Sequence, residues 1–161
     1  MTAIAHVGMT VTDLEAAVGW YADVLNLEPL GPPAEVRAGE GHDGELAAEV
    51  FGAGFGAFRQ AHLTGANGTA LELFQFLDPA SERGADGFEF RRTGIFHVCL
   101  VAPDVEATAA RIAARGGRRR MARAARIFPG EPYRTCYCED PFGNVIELYS
   151  HSHERTYANR A

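Results

Sequence analysis

Apolar and polar positions follow two kinds of pattern in the first part of the chain. A short apolar run over residues 4–11 predicts a β-strand, and apolar residues at helical spacing follow it. The predicted buried stripe of this helix consists of Leu14, Ala17, Val18, Tyr21 and Leu25. Thr12 and Glu15 stand at its start in the spacing of a capping box, which satisfies free amide groups at a helix N-terminus. The pattern therefore predicts a strand followed by a helix.

The same pattern returns later in the chain. At an offset of 91 residues, His6 falls on His97 and the apolar positions around it correspond. At an offset of 75 residues, residues 71–74 fall on residues 146–149, and both segments have a glutamate between apolar residues. A chain that matches itself at two offsets contains two copies of one module, with extra residues in the first copy.

Strand-like runs follow the helix in both modules. The predicted strands lie at residues 57–63, 69–77, 134–138 and 144–150, with short additional strands near 28–30 and 118–121. The second helix has the apolar stripe Val105, Ala109 and Ile112, and Gly116 ends it. We therefore predict an α+β fold in which two tandem βαβββ modules form a curved, cleft-like mixed β-sheet with helices on the outside.

The repeat also sets the expected domain limits. The first module spans residues 1–77, residues 78–93 form a linker, and the second module spans residues 94–151. Residues 31–56 are an insertion with seven glycines, which we expect to be a mobile surface loop or, alternatively, a lid over a site. The polar tail, residues 152–161, predicts an extension without a fold of its own.

Composition narrows the class of function. The chain of 161 residues has a net charge of -6, which argues against a nucleic acid or a membrane as partner. All 15 basic residues are arginines, so Schiff-base, lysine-anchored pyridoxal and P-loop chemistry are excluded. None of the serines has the G-x-S-x-G setting of a serine hydrolase. Three cysteines without a C-x-x-C motif, no signal peptide and no apolar run long enough for a membrane span predict a cytoplasmic protein.

Four residues recur at matching positions of the two modules. His6 and His97 lie in the first strand of each module, and Glu72 and Glu147 lie in the last strand. A single histidine in an apolar strand is usually a core residue, and a glutamate between apolar residues faces either solvent or a cleft. A pseudo-twofold relation between the modules would bring all four side chains together. Two imidazoles and two carboxylates neutralise a divalent cation and leave coordination positions open, so we predict a metal site.

Several segments around these residues resemble a known superfamily. In these segments the chain resembles the vicinal oxygen chelate superfamily, which includes glyoxalase I, bleomycin-resistance proteins, methylmalonyl-CoA epimerase and extradiol dioxygenases. The segments are Ile4-Ala-His6-Val-Gly-Met-Thr-Val-Thr-Asp13-Leu-Glu15, Leu71-Glu72-Leu73, Phe96-His97-Val98 and Glu139-Asp140-Pro-Phe-Gly143-Asn-Val-Ile-Glu147-Leu. The resemblance implies the fold, while the reaction differs among members of the superfamily.

The sequence differs from the residue patterns of several members of the superfamily, and these differences narrow the choice of reaction. The antibiotic-binding members lack the four ligands, and the epimerases generally have glutamine where Glu72 stands. Residues 137–147 partly match the extradiol dioxygenase fingerprint, but residues 127–131 lack its acid/base histidine. The His-Glu-His-Glu set is most similar to glyoxalase I. We therefore expect a glyoxalase-like isomerase or lyase that stabilises an enediolate on a divalent metal; the alternatives are an extradiol-type dioxygenase and a small-molecule (antibiotic) binding or resistance protein.

The resemblance also suggests roles at the site. It assigns the catalytic base to Glu147 or Glu72 without choosing between them, and the metal to nickel, zinc, cobalt, iron or manganese. Strand alternation places Thr10 on the face of His6 and Tyr149 on the face of Glu147, so both are candidates for substrate binding. Tyr137 of the fingerprint and Arg134, a candidate anion contact, complete the set. The expected partners are a small-molecule substrate and a second copy of the chain in a homodimer.

Overall fold

The chain divides into two compact units, with the boundary in the sequence between Arg83 and Gly84. The computed structural model describes residues 1–84 and 88–158, so part of the expected linker and the end of the expected tail lie outside the described residues. Each unit contains one five-stranded β-sheet with both parallel and antiparallel pairs. The predicted α+β class with two tandem βαβββ modules is confirmed. The union of both sheets into one cleft-like surface stays a prediction, as do the limits drawn for the modules.

The first unit builds its sheet in the strand order β1-β5-β4-β2, with β3 also pairing with β4. Only the β1–β5 pair is parallel. Its elements are β1 (His6–Thr10), α1 (Leu14–Leu25), β2 (Glu28–Pro29), β3 (Ala34–Arg37), α2 (Gly41–Phe51), β4 (Ala57–Thr64) and β5 (Ala70–Asp78).

Helix α1 packs against β4 and β5. It begins at Asp13, whose side chain accepts a hydrogen bond from the Ala16 amide at 3.0 Å, so Asp13 caps the helix and not Thr12 as the capping box predicted. The buried stripe also differs from the prediction, because Trp20 and Val24 are buried while Val18 and Leu25 are only half-buried. The buried side chains repeat at intervals of three and four from Leu14 onward, which places Val18 and Leu25 just outside the contact face.

The insertion of the first module is folded, and the expectation of a mobile loop was wrong. Strand β3 pairs with β4 in antiparallel register, and helix α2 follows it. The helix lies so close to the strand that a Cβ atom at Gly44 would be 2.0 Å from the carbonyl oxygen of Arg37. Its residue Ala47 is buried with Val36 and Phe55. The high glycine content of this segment led us to predict a loop. Glycine in fact allows the helix to form here, because only a residue without a side chain permits such close packing against the strand.

The second unit repeats the order of the first in the sheet β6-β10-β9-β7, with β8 also pairing with β9. Its elements are β6 (Val98–Val101), α3 (Val105–Ala114), β7 (Arg118–Arg119), β8 (Ala125–Arg126), β9 (Arg134–Glu139), β10 (Val145–Tyr149) and α4 (His153–Tyr157). Helix α3 buries Val105, Ala109 and Ile112, as predicted, and is capped by the side chain of Asp104. It packs against β9 and β10.

The polar tail also contains structure that the sequence analysis missed. Helix α4 forms directly after β10, and the Ser152 hydroxyl caps it by accepting a hydrogen bond from the Arg155 amide at 3.2 Å. Thr156 is fully buried, which anchors this short helix to its unit. The expectation that the tail has no fold of its own was therefore wrong for residues 153–157. Among the described residues, no helix has the length and apolar character needed to cross a membrane.

Candidate metal centre

In the first unit, neighbouring strands bring His6 and Glu72 to the same face of the sheet. Gly8 of β1 pairs with Glu72 of β5, and His6 lies two residues before Gly8, so alternation turns its side chain to the same side. His6 Nε2 is 3.4 Å from Glu72 Oε2. The imidazole is half-exposed, whereas the Glu72 side chain is 20% exposed. The two side chains are therefore in contact within the first unit.

A second histidine that the sequence analysis did not identify lies beside Glu72. His62 of β4 stands directly opposite Glu72 in the antiparallel register, and its Nδ1 is 3.5 Å from Glu72 Oε1. The Glu72 carboxylate therefore lies between two imidazoles. The signal was present in the repeat, because the offset of 75 that aligns Glu72 with Glu147 also aligns His62 with Tyr137.

In the second unit, His97 and Glu147 form the equivalent pair. His97 directly precedes β6, and its Nε2 is 3.2 Å from Glu147 Oε2. Both side chains are more buried than their counterparts, with 25% exposure for His97 and 8% for Glu147. The second unit thus repeats the histidine–glutamate contact with both side chains less exposed to solvent.

Glu147 is held by more partners than Glu72. The Thr135 hydroxyl, another contact that the sequence analysis missed, donates a hydrogen bond to Glu147 Oε1 at 2.9 Å. Desolvation raises the pKa of the Cys99 thiol to about 12, and the Glu147 carboxylate adds to this increase. Burial and the same carboxylate raise the pKa of the Tyr137 phenol to about 12. At neutral pH both groups are therefore protonated and can donate hydrogen bonds toward Glu147.

The geometry of each pair fits two neighbouring ligands of one cation. Two ligand atoms about 2.1 Å from an ion, at an angle of about 90–110°, are roughly 3.0–3.4 Å apart. The nitrogen–oxygen separations of 3.4 Å in the first unit and 3.2 Å in the second agree with this range. Within the part of the chain that the structure describes, no three His, Cys, Asp or Glu side chains form a group that could hold a metal ion. Each pair alone supplies two donors, so convergence of all four stays a prediction.

The candidate substrate-binding residues Thr10, Tyr149 and Arg134 do not all lie on the face that carries the histidine–glutamate pairs. Thr10 lies on the face of His6, opposite Phe74 in the β1–β5 register, and Tyr149 lies on the face of Glu147. Arg134 lies on the other face of its sheet, because its neighbour Thr135 points to Glu147. Its Nη2 donates a hydrogen bond to the Ala124 carbonyl at 2.8 Å. The structure therefore does not bring Arg134 to the histidine–glutamate pair of its unit.

Beyond the pair, the site-bearing face of each sheet meets a helix that the sequence analysis did not predict. In the first unit, Phe74 packs against Phe58 with ring centroids 5.1 Å apart, and Phe51 of α2 joins the same aromatic cluster. In the second unit, the Tyr149 hydroxyl lies 3.3 Å from the Tyr157 hydroxyl of α4. Helix α2 therefore provides an aromatic side chain near Phe74, and α4 provides one near Tyr149. Phe74 and Tyr149 each lie two residues after the glutamate of their unit.

Comparison with known protein families agrees with this architecture. A family model for the Glyoxalase/Bleomycin resistance protein/Dioxygenase superfamily matches residues 3–148. The chain belongs to this superfamily. The predicted resemblance to the vicinal oxygen chelate proteins is therefore confirmed, and the match covers both modules.

Solved structures share the superfamily fold at low sequence identity. A glyoxalase family protein from Bacillus cereus matches with a TM-score of 0.73 and 21% identity over 92% of this chain and 93% of that chain. Glyoxalase I from Zea mays matches with a TM-score of 0.60 and 18% identity over 92% of this chain, which spans 44% of the maize chain.

A point mutant of the fosfomycin resistance protein FosX from Listeria monocytogenes also shares the fold. It matches with a TM-score of 0.58 and 14% identity over 97% of this chain and 98% of that chain. That protein was solved with Mn(II) and 1S,2S-dihydroxypropylphosphonic acid. A comparison with curated proteins gives no match. At these identities the structural matches support the fold, and the chemistry has to be argued from the residues of this chain.

Proposed function

We propose that the chain is a metal-dependent isomerase or lyase in which His6, Glu72, His97 and Glu147 hold one divalent cation. The observation that carries this proposal is the repeated pair: each unit sets an imidazole Nε2 against a carboxylate Oε2, at 3.4 Å and 3.2 Å. Two neutral imidazoles with two carboxylates balance the charge of such a cation and suit nickel, zinc, cobalt, iron or manganese. When bound, the cation would act as a Lewis acid on adjacent oxygens of a small substrate.

The different surroundings of the two glutamates assign them different roles. Glu147 is nearly buried, and the Thr135 hydroxyl holds its Oε1 at 2.9 Å. Glu72 is more exposed, and its contacts to the two imidazoles are longer, at 3.4 Å and 3.5 Å. A base must move between its resting position and a proton on the substrate. Glu72 is therefore the proposed base, which takes a proton from the carbon next to a carbonyl group, and Glu147 is the proposed fixed ligand.

The groups around Glu147 are suited to bind the oxygens of the substrate. The pKa of Tyr137, raised to about 12, and the raised pKa of Tyr149 mean that both phenols stay protonated well above neutral pH. A protonated phenol donates a hydrogen bond to an oxygen on which negative charge develops, and burial strengthens such a bond. A small α-hydroxycarbonyl compound, such as a hemithioacetal, is the substrate class that this arrangement favours.

The test combines metal analysis with turnover in the absence of oxygen. Metal-free protein is reloaded with nickel, cobalt or zinc and assayed anaerobically with a hemithioacetal. Glu72→Gln is expected to bind the metal more weakly and, once its site is filled at saturating metal, to lose about 10²–10⁴-fold in turnover, the usual contribution of a general base. Glu147→Gln is expected to lose both metal and turnover. Both changes are nearly isosteric, so the fold should persist. Glu45→Gln, on the exposed side of α2, is the matched control and should behave as the unmodified protein.

Other outcomes would replace the proposal. If Glu147→Gln retains metal and loses turnover while Glu72→Gln loses both, the two roles are exchanged. Oxygen consumption with a catechol, seen only in iron-loaded protein, would identify a dioxygenase. Tight binding of a small molecule without metal or turnover would identify a binding or resistance protein.

A further inference from the structure

Both glutamates of the candidate metal centre have a second contact on the oxygen that does not face the paired histidine. Glu72 Oε1 lies 3.5 Å from His62 Nδ1, and Glu147 Oε1 accepts a hydrogen bond from Thr135 at 2.9 Å. In both units the contacting residue lies on the strand that is antiparallel to the glutamate strand. The two carboxylates are therefore engaged in the same way, with one oxygen toward the histidine and the other toward a neighbouring strand.

The strand opposite each glutamate supplies these second contacts. His62 stands directly opposite Glu72, and Tyr137, which the offset of 75 aligns with His62, stands directly opposite Glu147 and is hydrogen-bonded to its carboxylate. Thr135 stands opposite Tyr149, two residues beyond Glu147, and adds a further donor. Both units therefore place a side chain with a polar group directly opposite the glutamate.

We propose that His62 is a positioning residue for Glu72: its Nδ1–H engages Oε1, so that Oε2 is presented together with His6 Nε2. This inference rests on the proposed metal function. The backbone of His62 is held within the sheet, where its carbonyl oxygen accepts a hydrogen bond from the Leu30 amide at 2.8 Å. Partners of this kind orient a ligating carboxylate, and their loss typically weakens metal binding by about 10–100-fold.

The structure argues against a role for His62 as a metal ligand. His6 and His62 contact different oxygens of Glu72, so the carboxylate lies between the two imidazoles. An imidazole on the far oxygen can orient the carboxylate but does not share its cation.

The test measures the affinity of the full-length protein for Co(II) by competition with a chelator, together with the visible spectrum of the bound ion. His62→Ala is expected to bind Co(II) about 10–100-fold more weakly and to show altered absorption bands, because Glu72 loses its orientation. His62→Gln is expected to recover most of the affinity, since its amide group can donate to Oε1. His62→Leu keeps the side-chain bulk without a donor and should match His62→Ala, so a folding defect of one variant does not remove the test.

Reference variants separate the failure of this inference from the failure of the proposed function. His42→Ala removes an exposed imidazole from α2 and should leave the affinity unchanged. If Glu72→Gln binds Co(II) as well as the unmodified protein, the metal centre itself is wrong. If Glu72→Gln weakens binding but His62→Ala and His62→Leu do not, only the positioning role fails. If His62→Ala weakens binding as much as His6→Ala and His62→Gln gives no recovery, His62 is a ligand and the inference is overturned.

Discussion

The two units of the molecule carry the same pair of side chains in different surroundings. In the first unit, Glu72 lies between the half-exposed imidazoles of His6 and His62. In the second unit, Glu147 is nearly buried and held by the Thr135 hydroxyl. The strands that present the pair have been preserved in both units, while the neighbours of the pair have diverged. Under the proposed function, the two units would thus repeat the same pair of ligand types while Glu72 and Glu147 take different roles.

The helices next to the pairs differ in the same way. In the first unit, Phe58 packs against the aromatic rings of Phe51 and Phe74 in an apolar cluster. In the second unit, Tyr149 and Tyr157 meet through their hydroxyl groups. The first cluster is stabilised by burial of apolar surface, whereas the second combines ring packing with a polar contact. The first unit should therefore depend more strongly on its aromatic residues for stability.

The substitution with the largest expected effect, Phe58→Ala, tests whether the first unit depends more strongly on its aromatic residues. Phe58→Ala should destabilise the first unit by about 3–5 kcal/mol, because it opens a cavity in a buried aromatic cluster. Tyr157→Ala removes a side chain that is still 39% exposed and should cost only about 1 kcal/mol. Urea unfolding followed by circular dichroism and by fluorescence of the single tryptophan, Trp20 in α1, gives both values. Phe58→Leu is the control and should lose less than Phe58→Ala. Equal losses for Phe58→Ala and Tyr157→Ala would contradict the comparison.

The next effect tests a feature that the two units share. Asp13 and Asp104 cap α1 and α3 by accepting hydrogen bonds from the amide groups three residues later, at 3.0 Å and 2.9 Å. Asp13→Ala and Asp104→Ala should each destabilise the protein by about 1 kcal/mol. Asn at either position should retain most of the stability, since its side-chain oxygen also accepts this bond. A loss confined to one of the two alanine variants in thermal or urea unfolding would show that the caps have diverged as well.

The smallest expected effect on stability comes from the glutamates in the first turns of α1 and α3, Glu15 and Glu106. Arg119 and the Ala124 amide lower the pKa of Glu106 from 4.5 to about 2, and Arg59 lowers the pKa of Glu15. A lowered pKa in the folded state means that the unfolded chain binds the proton first, so the stabilisation is present above pH 4.5 and is lost as the pH falls toward 2. Glu106→Gln should therefore be less stable than the unmodified protein at neutral pH, and the difference should shrink in acid. Carboxyl titration by NMR checks both pKa values, and a Glu106 that titrates near 4.5 would contradict this prediction.

The sequence predicted the fold well because most strands and the helices α1 and α3 occur in both copies of the repeat, so each could be identified twice. The strands that carry Glu72 and Glu147 were found in both copies, and the histidine–glutamate contacts follow from their register. The segments without a counterpart in the other copy, α2 and α4, were missed. Helix α2 depends on a close approach at Gly44, and α4 depends on a single cap and the burial of Thr156. Such features arise from tertiary packing and leave little trace in a hydrophobic pattern.

At the candidate site, the sequence identified the pairs but not their neighbours. His62 and Thr135 are polar residues in half-buried strands, and a pattern of apolar positions does not distinguish them from other surface residues. The offset of 75 aligns Arg134 with Arg59, which the structure pairs with Glu15 on α1. This ion pair cannot be read from the sequence, so the alignment alone did not show that Arg134 lies on the face away from Glu147. The metal, the homodimer and the cytoplasmic location stay predictions.

Gly44 has a consequence for the directed evolution of this protein. Any side chain at this position would collide with the Arg37 carbonyl oxygen, so a saturation library selected for function should return glycine alone. Positions of the proposed ligands, such as His97, should also return only the original residue, so residue frequencies in the selected library would not distinguish His97 from Gly44. The temperature of selection distinguishes them: variants that fail through reduced stability can recover in a cooler culture, whereas variants that lack a required ligand cannot. A library screened at two temperatures would thus separate the architecture of α2 from the chemistry of the site.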